Sequence, residues 1–76
     1  MNKQRRQVID KLIEQVEELK CGIQEVLDEE DEYRENIPES MTVKQEIADS
    51  ACENLDNAIS SLDEVEEYLQ SARDGE

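Results

Sequence analysis

The sequence predicts an all-α protein: an antiparallel two-helix hairpin of coiled-coil type that dimerises into a four-helix bundle. Three observations predict it. Apolar residues recur at alternating steps of three and four through both halves of the chain. A single proline divides those halves. More apolar residues exist than one seam between two helices can hide. The expected organisation is one domain over residues 1–76, with helix 1 at about 3–36, a turn at about 37–42 and helix 2 at about 43–73.

Helix 1 is predicted from Ile9, Leu12, Val16, Leu19, Ile23 and Val26, continued after the polar Glu30 by Tyr33 and Ile37. These residues form an a/d seam, and no strand-like alternation competes with them. Pro38 lacks a backbone N–H and disfavours helical geometry at Ile37, so helix 1 should end near Asn36. Ser40 or Thr42 is expected to cap helix 2, Thr42 forming a capping box with Gln45. Helix 2 is predicted from Ala48, Ala51, Leu55, Ala58, Leu62, Val65, Leu69 and Ala72, with Gly75 as its stop. Each helix is about 30 residues, or roughly 45 Å long. Equal lengths joined by a short turn imply an antiparallel pair. Seam partners should then share one residue-number sum. The pairs Leu12–Leu69, Val16–Val65, Leu19–Leu62, Ile23–Ala58, Val26–Leu55 and Tyr33–Ala48 all give 81.

Val8, Ile13 and Leu27 flank that seam on helix 1, and Ile47, Ile59 and Tyr68 flank it on helix 2. These six are the expected self-association residues. Covering them with a second hairpin stabilises at about 25 cal/mol per Å² of apolar surface. A chain of 76 residues has little core of its own and gains from such a partner. The bases cluster at the start of helix 1 and the acids near its end, against the helix dipole. Two hairpins packed with their turns at opposite ends would set basic start against acidic turn, and that arrangement is expected.

Composition narrows the chemistry. The chain has no histidine, and Cys21 and Cys52 lie far apart without metal-ligand spacing. No cofactor and no metal are expected. The acidic run Asp28, Glu29, Glu30, Asp31, Glu32 lacks the alternating ligands and central glycine of a calcium loop. Neither cysteine has an activating partner in sequence, so the chain is expected not to be an enzyme. The basic start is not followed by the apolar run of a signal peptide, and no stretch reaches the roughly 20 apolar residues of a membrane span. The expected location is cytoplasmic, with free thiols and no membrane partner.

A formal charge of −14 argues against direct nucleic-acid binding and for a basic protein partner. Asp28, Glu29, Asp31, Glu32, Glu35 and Glu39 form the expected partner surface. Spread over the helices, 22 carboxylates and eight bases leave roughly one net charge per 3 Å, close enough to duplex DNA for a decoy. Two alternatives stand beside this one. Arg5, Arg6, Tyr68 and Arg73 would meet near the start of helix 1 as an anion site, making an oligomeric sponge for a phosphate-bearing nucleotide. Against that site, the same arginines could simply pair with Asp63, Glu66, Glu67 and Asp74; the second alternative is a structural assembly component that only oligomerises.

The segments Glu32-Tyr-Arg-Glu-Asn-Ile-Pro-Glu-Ser and Ala51-Cys-Glu-Asn-Leu-Asp-Asn-Ala-Ile-Ser-Ser-Leu-Asp-Glu-Val-Glu-Glu-Tyr-Leu resemble a group of small helical proteins of bacterial phages and prophages. The resemblance runs over about residues 8–72 and is most specific at Asn36-Ile37-Pro38-Glu39. The resemblance implies a phage-type accessory protein, acting in the host cytoplasm and of the sort that blocks host defence or host enzymes. It carries over no functional residues.

Overall fold

A computed structural model of the chain describes residues 2–75; Met1 and Glu76, the ends of the expected domain, lie outside the described residues. Helix α1 spans Lys3–Glu35 and helix α2 spans Thr42–Asp74, packed against each other as an antiparallel hairpin. The Cα trace extends 59 × 15 × 11 Å, a slab one helix thick and two wide.

Asn2 starts α1, its side-chain oxygen accepting from the Arg5 N–H at 2.8 Å. That bond satisfies one of the donors a helix start leaves open. At the other end Asn36 turns its amide back onto the Glu32 carbonyl, 2.9 Å away. The turn closes when the Met41 N–H donates to the Pro38 carbonyl at 2.9 Å. That bond sets Met41, and not Ser40 or Thr42, at the cap of α2, and Met41 makes no side-chain cap. The expected Thr42–Gln45 capping box is therefore absent: Thr42 is already helical, and the Gln45 N–H bonds the Met41 carbonyl. Gly75 follows α2 without entering the left-handed region. Its glycine is required by space, because a Cβ there would lie 2.6 Å from the Ser71 carbonyl oxygen.

The buried side chains are Ile13, Leu27, Ala48 and Cys52. This corrects the expected seam. Residues seven apart stack in one row along a helix, and the row Ile9, Val16, Ile23, Ile37 does line the interface. Two further rows flank it. The expected seam takes the wholly apolar one, Leu12, Leu19, Val26 and Tyr33. The structure takes the other, Ile13, Lys20, Leu27 and Arg34, and leaves the first in solvent. On α2 the shared row is Ala48, Leu55, Leu62 and Leu69. Its partner row is Cys52, Ile59, Glu66 and Arg73, with Val65 exposed. Ile13, Leu27 and Ile59, expected to serve self-association, are therefore occupied within the hairpin.

Two cations stand in the chosen row. Lys20 and Arg34 lay their carbon stems along the seam and carry their charges out to α2 acids. A count of hydrophobic residues scores such positions as polar. The register moves with them: Lys20–Asp63, Arg34–Asp49, Arg73–Asp10 and Cys52–Asp31 each give a residue-number sum of 83, against the expected 81.

Candidate functional site

The seam divides the slab into two broad faces, and the four bridges tell them apart. All four reach acids in the rows Asp10, Glu17, Gln24, Asp31 of α1 and Asp49, Asp56, Asp63, Gln70 of α2. In an antiparallel pair, rows of the same angular offset share a face. These eight positions thus form one face, and six of them are carboxylates.

Lys20 is the centre of that acidic face. Its ammonium bonds Asp63 at 2.7 Å and also Glu66. Hydrogen bonds to Asp63 and then Glu66 hold Lys20 well above its usual range. The bond from Lys20 keeps Glu66 below the ordinary carboxylate value. Glu17 is pushed the other way by its hydrogen bond with Glu66, then by Glu66's charge. A shallow open depression beside Lys20 is lined by Glu17, Cys21, Gln24, Ile59 and Asp63. Further along, Arg34 bonds Asp31 at 2.9 Å and reaches Asp49 at 3.5 Å. The buried Cys52 thiol donates to Asp31 at 3.3 Å; burial, then that bond, raises it and keeps it a thiol. Cys21 is free and exposed, and Cys52 is free. Among the described residues no cluster of three or more metal-ligating side chains occurs.

The opposite face is apolar. Leu12 is 41 %, Leu19 53 %, Val26 51 % and Tyr33 51 % exposed. On α2 the matching row is Ala51, Ala58, Val65 and Ala72. Outside these lie Val8, Gln15, Gly22 and Glu29 on α1, and Ile47, Asn54, Ser61 and Tyr68 on α2. Of these sixteen positions only Glu29 is charged, in a chain of 22 carboxylates. Val8, Ile47 and Tyr68, three of the expected self-association residues, are exposed and sit along the edges of this face.

The other two expected sites are not assembled as expected. Asp28, Glu29, Asp31, Glu32, Glu35 and Glu39 ring the turn end of α1 in four different rows, and Asp31 is taken by Arg34 and Cys52. Of the anion-site residues, Arg73 bonds Asp10 at 2.8 Å and Asp74 at 2.9 Å, and those bonds, Asp74's first, hold its charge firmly. Its guanidinium lies over the acidic face, whereas Arg5 and Tyr68 share the rows of the apolar face. The structure therefore brings an arginine to acids at that end. The missed residues are Asp10, Glu17, Asp49 and Asp56, and Asp63 was expected only as an arginine partner. Their signal was a seven-residue repeat of acids beside each apolar row, legible only once the seam is fixed.

No helix of the described residues is long and apolar enough to cross a membrane. Compared with protein families, characterised proteins and solved structures, the chain matches none.

Proposed function

We propose that this chain is a non-enzymatic binding protein whose acidic face docks a basic protein of a host cell and inhibits or modulates it. The observation that carries the proposal is the segregation of charge: carboxylates fill one face and all but vanish from the other. Asp10, Glu17, Asp31, Asp49, Asp56 and Asp63, with Glu14, Asp28, Glu35, Glu46, Glu53, Glu67 and Asp74 beside them, run along about 40 Å of hairpin. Lys20, Arg34 and Arg73 cancel three of these thirteen charges. The remainder is roughly one net charge per 4 Å, a little thinner than the 3.4 Å of one DNA strand. A basic protein surface fits that density, and imitation of nucleic acid is the secondary use. The turn residues Asn36-Ile37-Pro38-Glu39 support a phage-type accessory role in the host cytoplasm.

The test is capture from bacterial lysate by the immobilised chain, compared with a Glu17→Lys/Asp56→Lys variant, across salt and with duplex DNA as competitor. The expected result is a basic protein that is retained at about 50 mM salt, released by 200 mM and not held by the variant. Retention indifferent to both salt and charge reversal would refute the proposal.

A further inference from the structure

We propose that a second copy of this chain covers the apolar face with the two turns at the same end, so that α1 of each copy lies along α2 of the other. The inference is independent of what binds the acidic face.

Size comes first. The apolar rows run about 40 Å along a slab 15 Å wide at the Cα level, roughly 600 Å² in projection, at the lower end of the roughly 600–1,000 Å² per partner of a standard stable interface. Charge comes second. This is the one broad surface on which two molecules of net charge −14 can meet with Glu29 as its sole carboxylate and Arg5 and Lys44 at its ends, leaving both acidic faces outward.

Shape decides the arrangement. A two-fold axis along the hairpin sets α1 over the partner's α2 at equal height. In a register within one residue of the hairpin's own bridges, Leu12 meets the partner's Ala72, and Leu19 meets the partner's Val65. Val26 likewise meets the partner's Ala58, and Tyr33 meets the partner's Ala51. Every layer places a larger side chain over a smaller one, as interdigitated packing requires. The flanking rows agree: Gln15 faces the partner's Tyr68, Gly22 the partner's Ser61, and Glu29 the partner's Asn54. Turns at opposite ends would instead stack large strip on large strip and alanine strip on alanine strip, overfilling one side and starving the other.

That outcome reverses the arrangement expected from the charge distribution along α1. The turn charges are solvent-exposed and screened beyond about 8 Å at physiological salt, whereas the layers act by contact. Both ends of the hairpin are net negative, so added salt should tighten the dimer by screening that repulsion, and the pattern of cross-links distinguishes same-end from opposite-end packing.

Three measurements test the proposal together. Sedimentation equilibrium should give twice the chain mass for the full-length protein, and the single-chain mass for Leu19→Asp, while Glu18→Lys on the outer surface stays dimeric. Because Leu19→Asp could fail by unfolding, cross-linking provides the second arm. In a Cys21→Ser background oxidised with diamide, Gln15→Cys/Tyr68→Cys should form a covalent dimer and Leu12→Cys/Tyr33→Cys should not. Thirdly, dimerisation should strengthen from 50 to 500 mM salt. A single-chain mass at millimolar concentration, cross-linking confined to Leu12→Cys/Tyr33→Cys, or weakening by salt would each overturn the proposal.

Discussion

Leu19 and Leu27 offer the same side chain on the two competing strips of α1, so truncating each to alanine weighs one strip against the other. Leu27 is 5 % exposed within the hairpin and Leu19 53 %. A buried Leu→Ala change costs about 2–5 kcal/mol through lost transfer energy and the cavity left behind. Leu19 keeps half its surface in water and lines no closed cavity, so its truncation costs about 1 kcal/mol within a single hairpin. At about 4–8 °C per kcal/mol for a domain of this size, Leu27→Ala should lower the melting midpoint by roughly 8–40 °C and Leu19→Ala by roughly 4–8 °C. Circular dichroism at 222 nm, followed on heating at the lowest measurable chain concentration, reads both. Raising the concentration should enlarge the Leu19 loss, because association buries that side chain. A Leu19→Ala loss equal to or above that of Leu27→Ala at low concentration would refute the seam, placing it on the Leu12–Leu19–Val26–Tyr33 strip.

The remaining predictions concern the backbone and the acid pair. Gly22→Ala should stabilise by about 0.5–1 kcal/mol in urea titration, because glycine is costly in a helix interior. A Cβ at that position meets nothing within 4 Å in the hairpin. Met41→Ser should stabilise by about 0.5–1 kcal/mol by supplying the side-chain cap that α2 lacks, with amide exchange slowed at its first turn. Glu17 titrates higher in the folded chain than in the unfolded one, so its proton's contribution is present at low pH and lost as pH rises through the raised value. Glu17→Gln keeps a neutral donor beside Glu66 at every pH. It should therefore raise the melting midpoint at pH 7, with the gain vanishing below the ordinary glutamate value of 4.5.

Much of the fold is legible in the sequence because its signals are local. The three–four spacing specifies helices, Pro38 ends the first of them, and equal lengths specify a hairpin. What is hidden is the rotation of each helix about its own axis. Ile9, Val16 and Ile23 belong to the seam whichever neighbour row joins them, and hydrophobicity favours Leu12, Leu19 and Val26. The hairpin instead takes Ile13, Lys20, Leu27 and Arg34, whose two cations bridge to Asp63, Glu66 and Asp49. A rotation of one row, about 50°, exchanges the Leu12 row for the Ile13 row in the seam. The same error concealed the acidic face, since Asp10, Glu17, Asp56 and Asp63 align only when the seam is set correctly. The cap of α2 was hidden for a different reason: the Pro38–Met41 turn bond, not residue preference, decides where that helix starts.

The hairpin has two unlike faces, one sheltered by association and one open. Paramagnetic relaxation of side-chain NMR signals by a soluble nitroxide, recorded at high chain concentration and again on dilution, measures both faces in one sample. Leu12, Leu19, Val26 and Tyr33 should be protected when concentrated and broadened when dilute, while Glu17 and Asp56 are broadened at every concentration. Equal broadening of the two faces throughout would contradict the account.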